Sequence, residues 1–156
     1  MYVDSQTLLA DAQALTATAV GTNVIDLGVA SSIGNGEPMA VLFTVDVAAD
    51  QTTGDEDYTF TVEYAATAAQ TNGKTMGQRV YESGTPSANA QDADLLVAGY
   101  RFAIPIPPTG AGDDARYLGI RATLAGTTPT ITVTAYLTPM SMIDATVDYA
   151  DGYTIS

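Results

Sequence analysis

The chain has 156 residues, no His or Cys, and five Lys plus Arg against eighteen Asp plus Glu, which gives a formal net charge of −13. The missing His and Cys exclude the Ser-His-Asp and Cys-His triads and the usual zinc and copper ligand sets. Because affinity for nucleic acid comes mainly from basic side chains, so acidic a chain is not expected to bind it.

The length predicts one domain, residues 1–156, which is large enough to bury a core without disulfides or a metal. No apolar run reaches membrane-spanning length, and no basic segment followed by an apolar one marks a signal peptide. We therefore expect neither a membrane partner nor an anchor.

The N-terminal part fits two patterns. Leu8, Ala12 and Leu15 have the spacing of a short helix, whereas from Leu15 onwards small apolar residues alternate with threonines as in a strand. We prefer an extended arm over residues 1–14 that becomes a strand near Leu15. A second short strand is predicted over residues 23–27.

Two strongly alternating runs follow. Residues 39–47 place Met39 and every second residue after it on one apolar face, and residues 58–66 alternate in the same way. The polar, acidic loop between them predicts that the two strands form a hairpin. Residues 74–83 are predicted to form a strand at a sheet edge, because both of its faces are mixed.

The C-terminal half contains the most regular pattern. Residues 100–106 alternate and end among prolines, which predicts a strand at an edge. Residues 117–137 form two alternating runs joined by a short loop, and we interpret them as a hairpin in which Leu124 faces Ile131.

About eight short strands with turn signals between them, and little helix, indicate an all-β protein. The prediction is a jelly-roll β-sandwich of about eight antiparallel strands with extended N- and C-terminal arms. Residues 140–156 form the C-terminal arm. Other Greek-key sandwiches fit the same pattern.

The acidic side chains of the sequence indicate mainly solvated surface. Asp50, Asp55 and Asp57 crowd one loop and are weak candidates for binding a hard cation. Their spacing fits no EF-hand loop, so a solvated acidic loop is the favoured interpretation. The sequence singles out no pair of carboxylates for a glycosidase. We therefore expect no enzymatic activity and no cofactor.

The tyrosines allow a different reading, a carbohydrate-binding module. Tyr58, Tyr64 and Tyr100 lie on the apolar faces of their strands and are expected in the core. Tyr117 and Tyr136 lie on the opposite face of the predicted hairpin, where they could be exposed.

The two ends of the chain carry apolar residues that a free terminus does not need. We interpret them as a contact surface for another subunit or for the rest of the domain. The candidate contact residues are Leu8, Leu9, Met140, Met142, Ile143, Tyr149 and Tyr153.

Several stretches resemble, in the same order, the capsid cement (decoration) proteins of tailed phages of the Bordetella-phage type. They are QTLLADAQALTATAVGTNVIDLG, GEPMAVLFTVDV, LLVAGYRFAIPIP, RYLGIRATLAGT and ITVTAYL. The resemblance covers most of residues 6–137 but neither the acidic loop after Asp50 nor the tail after Pro139.

This resemblance implies a jelly roll that binds as a homodimer to the outside of an icosahedral shell and clamps neighbouring major capsid subunits. The expected location is therefore the outer surface of the virion, after assembly in the host cytoplasm. The charge agrees with this, because a capsid interior holds polyanionic DNA and an acidic chain favours the outside. The main alternative is a carbohydrate-binding β-sandwich module of a phage particle.

Overall fold

The computed structural model describes residues 5–28, 36–107 and 116–143, and in these ranges nearly all regular structure is β-strand. The strands are β1 (Leu8–Leu15), β2 (Ala19–Val20), β3 (Ile25–Asp26), β4 (Met39–Val47), β5 (Asp57–Ala65), β6 (Lys74–Glu82), β7 (Gln91–Asp92), β8 (Arg101–Ile106), β9 (Tyr117–Ala125) and β10 (Ile131–Pro139). A 3₁₀ helix spans Ala93–Leu95, and the short helix α1 spans Met140–Ile143. No helix in the described ranges is long and apolar enough to span a membrane.

The strands form two sheets that pack face to face. The four-stranded sheet has the order β1-β10-β4-β8, and the six-stranded sheet has the order β2-β9-β5-β6-β7, with β3 also paired to β9. All pairs are antiparallel except β6 with β7.

The first strand pairs with the last, and strands closer to the middle of the chain pair with each other in turn. This nested pairing defines the topology. β1 pairs with β10, β2 and β3 pair with β9, β4 pairs with β8, and β5 pairs with β6. One long hairpin gives this order, and rolling it up brings β10 beside β4 and β9 beside β5. This arrangement is a jelly roll. The predicted fold class is confirmed.

Both predicted hairpins are wrong, although their strands are present. β9 and β10 lie in different sheets, and so do β4 and β5. The apolar faces that the alternation predicted do point inward, with Leu118 and Ile120 on β9 and Ile131 and Val133 on β10 all buried. They meet across the sandwich instead of side by side within one sheet.

The connection between β9 and β10 explains why the chain changes sheets there. Gly126 has φ +92° and Thr128 has φ +51°. A Cβ on Gly126 would lie 2.2 Å from the carbonyl oxygen of Asp55, so only glycine fits against the β4–β5 loop. The Asp50 N–H also donates to the carbonyl of Thr130 (2.9 Å). The two loops therefore hold each other at one end of the sandwich.

The predicted N-terminal arm over residues 1–14 is corrected, because β1 begins at Leu8 and not near Leu15. The pairing of β1 with β10 shifts register twice between Leu8 and Gln13, and Ala12 has φ +42°. These irregularities break the period of two, so the strand does not show in the sequence. At the other end, residues 140–143 form α1, and residues 144–156 lie outside the described ranges.

The edge prediction for β8 is confirmed, and the one for β6 is confirmed only in part, because β7 pairs with its last two residues. β8 is the last strand of the four-stranded sheet, and it carries Pro105. β6 is followed only by the two-residue β7, so most of its length forms an edge among the described strands. The loop over residues 108–115 lies outside the described ranges.

An aromatic cluster joins the two sheets in the core. Phe43 and Phe102 of the four-stranded sheet stack with centroids 4.9 Å apart. Phe60 of the six-stranded sheet lies 5.4 Å from Phe43 and 6.2 Å from Tyr81. Because such pairs add to the free energy gained from buried area, this cluster is a main source of cohesion between the sheets.

We predict that Phe60→Ala lowers the free energy of unfolding by about 3–5 kcal/mol, because it removes a fully buried ring and leaves a cavity between the sheets. Phe60→Leu retains most of the volume and should cost less. Urea unfolding followed by circular dichroism measures both values. Equal, small losses for the two variants would contradict this view of the core.

Candidate interaction surfaces

Five large apolar side chains are exposed in the described part of the chain, and they fall into two groups. Val47, Leu95 and Val97, which we call the Val47 patch, are 59%, 43% and 54% exposed. Met140 and Met142, which we call the Met140 patch, are 42% and 43% exposed. Single exposed apolar residues are common, but grouped ones often mark contact sites.

Hydrogen bonds bring together the two segments that carry the Val47 patch. The Ala49 N–H donates to the carbonyl of Leu96 (2.9 Å), and Gly99 N–H donates to the carbonyl of Val45 (2.8 Å). The side-chain amide of Gln51 donates to the carbonyl of Ala93 (2.7 Å). Residues 45–51 therefore run beside residues 93–99 at one end of the four-stranded sheet.

The loop over residues 93–99 has an inward and an outward side. Asp92 caps the 3₁₀ helix, since its carboxylate accepts from the Asp94 N–H (2.9 Å). Ala93 and Leu96 are fully buried and anchor the loop to the core. The anchoring leaves Leu95 and Val97, on either side of Leu96, turned towards solvent.

The surroundings of the Val47 patch are acidic. Residues 46–51 and 91–99 contain Asp46, Asp50, Asp92 and Asp94, and no Lys or Arg. The Asp46 carboxylate accepts a hydrogen bond from the Thr134 hydroxyl (2.7 Å) on neighbouring β10. Apolar side chains thus lie on the same two segments as four carboxylates.

The Met140 patch lies at the opposite end of the same sheet. The Met140 N–H donates to the carbonyl of Pro38 (2.8 Å), and the Ser141 hydroxyl donates to Glu37. These contacts hold α1 where β4 begins, whereas Val47 stands where β4 ends. At about 3.3 Å per residue, the eight steps from Met39 to Val47 along β4 separate the two patches by roughly 26 Å.

The predicted contact residues differ in how exposed they are. Met140 and Met142 are exposed and Leu8 and Ile143 are half-buried, so all four side chains can reach a partner at least in part. Leu9 is 0% exposed, and its prediction as a contact residue is wrong because β1 places it in the core. Tyr149 and Tyr153 lie outside the described residues.

The Val47 patch was not predicted from the sequence. One signal was present, the run Leu95-Leu96-Val97 between a polar loop and a strand. Consecutive side chains of an extended segment point to different sides, so three large apolar residues in a row indicate that some of them face outward.

The acidic loop before β5 forms its own hydrogen-bond network. The Asp55 carboxylate accepts from the N–H (3.1 Å) and the hydroxyl (2.9 Å) of Thr127 and from the hydroxyl of Thr53 (2.6 Å). The buried carboxylate of Glu56 accepts from the N–H groups of Thr53 (3.0 Å) and Asp55 (3.1 Å). The network links the β4–β5 loop to the β9–β10 loop.

The weak cation candidates do not assemble into a site. No group of three acidic side chains positioned to hold a metal occurs within residues 5–28, 36–107 and 116–143. Asp50 accepts from the hydroxyl and the N–H of Thr52 (3.0 Å for the N–H). Asp57 lies on β5, where burial and the neighbouring charges of Glu82 and Asp55 raise its pKa.

A second polar cluster lies on the outer face of the six-stranded sheet. The buried Glu63 carboxylate accepts from Arg121 Nε (2.9 Å) and from the Thr61 hydroxyl (3.1 Å). Arg121 Nη2 also donates to the carbonyl of Gln70 (2.8 Å), which holds the loop before β6 on the sheet. Since Glu63 is paired with a cation, we interpret this cluster as a structural ion pair and not as one half of a glycosidase pair.

The exposed tyrosines that a sugar platform requires are only partly present. Tyr136 is 6% exposed, so its predicted exposure is wrong, and Tyr117 is half-buried with the Arg116 guanidinium 5.0 Å from its ring centroid. Tyr58 and Tyr64 are core residues, as predicted, and Tyr100 packs against the core. The described tyrosines therefore give the carbohydrate-binding reading little support.

We predict that the stabilising effect of Asp55 is lost in acid. Hydrogen bonds from Thr53 and Thr127 lower its pKa, so its contribution to stability is fully present above its ordinary pKa of about 4 and disappears as the pH falls through the lower folded value. Asp55→Asn should therefore lower the urea midpoint at pH 7 and lower it by less at pH 2. Asp11→Asn, at an exposed position on β1, is the control. An equal difference at both pH values would contradict this role.

Comparison with known proteins identifies a family model that matches the chain. The model of the Bbp16 family matches residues 9–137, which is most of the chain and extends from β1 into β10. The matched region includes the Val47 patch and ends before the Met140 patch. No curated protein matches the chain.

Proposed function

The chain belongs to the Bbp16 family, a family of Bordetella phage proteins, and from this premise we propose that it is a capsid cement protein. In this role it binds the outer surface of the phage shell and clamps neighbouring major capsid subunits. It acts as a structural component of the virion, without catalysis or a cofactor.

The observation that carries the proposal is the presence of two exposed apolar patches at opposite ends of one rigid sheet. A clamp must contact two subunits at once, and patches roughly 26 Å apart allow this. Because β4 is hydrogen-bonded on both sides, by β10 and β8, the distance between the patches is fixed. Little conformational entropy is then lost on binding.

Charge supports the outer surface as the location. A net charge of −13 opposes contact with packaged DNA, which is itself polyanionic. The same charge resists non-specific association between copies, so attachment depends on specific contacts.

We propose further that the protein binds as a homodimer. A dimer presents each patch twice, and linked binding events strengthen attachment without any new kind of contact. Sedimentation velocity of the free protein measures its oligomeric state.

The proposal is tested by mixing the purified protein with expanded, undecorated shells of its phage, sedimenting the shells and following their thermal melting. We expect saturable, stoichiometric co-sedimentation and a higher shell melting temperature, because a ligand that binds only the assembled state stabilises it. Shells of an unrelated phage are the control. Protein that stays in the supernatant and leaves shell melting unchanged would contradict the proposed function.

A further inference from the structure

The fold does not explain why the residues of the Val47 patch are apolar. The loop over residues 93–99 is held by buried Ala93 and Leu96 and by backbone hydrogen bonds. Leu95 and Val97 contribute little to this anchoring, since about half of each side chain faces water. The exposed parts of these apolar side chains are therefore available for a contact outside the domain.

The charges on the same segments define what such a contact must look like. The two segments that carry the three apolar side chains contain four carboxylates and no cation. The exposed Arg101, which follows Gly99 by two residues and pairs opposite Thr44, leaves these surroundings net negative. A partner that buries the patch must place its own apolar surface at the centre and cations at the border, because like charges across an interface cost free energy.

A second copy of this chain fits that requirement poorly. If two copies met through this end, Asp46, Asp92 and Asp94 of one copy would face the same carboxylates of the other, because a two-fold interface uses one surface twice. Only five Lys and Arg residues are present in the whole chain, and none is in these two segments. The charge therefore favours a different protein as the occupant.

We infer that the Val47 patch inserts into an apolar depression bordered by Lys and Arg side chains on the major capsid protein. The inference rests on the proposed function and adds the surface, and the chemistry of its partner, through which one arm of the clamp binds. Apolar contact supplies the affinity, while the carboxylates guide the approach and fix the orientation.

The loop is suited to this role because it is ordered before binding. The capped 3₁₀ helix and the bonds from Ala49, Gln51 and Gly99 fix its backbone. Binding then costs the loss of side-chain freedom at Leu95 and Val97 but no folding of the loop.

The experiment measures binding of fluorescently labelled protein to expanded, undecorated shells at low and high salt. Leu95→Gln and Val97→Thr should each weaken binding by about tenfold, as truncation of a central contact residue does. Asp94→Lys should weaken it most at low salt, and Asp94→Asn should reduce the salt dependence. Thr123→Gln, at an exposed position on the six-stranded sheet, is the matched control and should bind like the unchanged protein.

Two further readouts separate the possible failures. Thermal melting of each free variant must match the unchanged protein, so that weaker binding does not reflect unfolding.

If the unchanged protein binds and stabilises the shells while all patch variants bind within twofold of it, the inference is wrong and the proposed function stands. If the unchanged protein itself does not bind, the proposed function fails. If patch variants bind normally but convert a dimer into a monomer, the patch is a contact between copies, and the inference is overturned.

Discussion

The structure depends on the stacking of two apolar sheet faces. Phe43 and Phe102 from one sheet and Phe60 and Tyr81 from the other interlock at centroid distances of 4.9 to 6.2 Å. The jelly-roll order places these strands opposite each other, and it also leaves the ends of the sandwich to loops. Loops at the ends are therefore free to carry contacts that the core does not need.

Contacts between the two sheets cover part of each sandwich edge. The ends of the sandwich are therefore more available than the edges for contacts with a partner. Near one edge, the Gln13 side chain donates to the carbonyl of Val20 (2.9 Å) and accepts from the Thr22 N–H (3.1 Å), so β1 is fastened to the opposite sheet. On the other side, a Cβ on Gly77 of β6 would lie 2.7 Å from Ile104 of β8. Strand addition at this point is blocked by the close approach of β6 and β8 and by Pro105. Within the described ranges, the large exposed apolar residues lie at the two ends of the four-stranded sheet.

The sequence predicted which residues form strands better than it predicted which strands pair with each other. β4 was predicted with its observed bounds because its run of apolar residues, with Met39 and every second residue after it on one face, is typical of a central strand. The same alternation in β9 and β10 is satisfied equally by a hairpin and by two strands facing each other across a core, so the pattern could not choose between them. β1 escaped prediction because two register shifts and the positive φ of Ala12 break its period.

The candidate site was less predictable than the fold, for a physical reason. Exposure of Leu95 and Val97 follows from the burial of Leu96 between them, and that burial depends on contacts with the distant segment around Ala49. Met140 and Met142 could be predicted, because an apolar segment after the last strand has no place left in the sheets. The acidic loop was located correctly, but its link to Thr127 arises only when the two loops meet in the fold.

The central claim is that both ends of one rigid sheet engage the shell, and a cryo-EM reconstruction of expanded shells saturated with the protein tests it most directly. The account predicts the sandwich on the outer surface, with the Val47 patch and the Met140 patch of each copy contacting two different capsid subunits. Density on the inner surface, or a sandwich attached with both ends of β4 turned away from the shell, would contradict it.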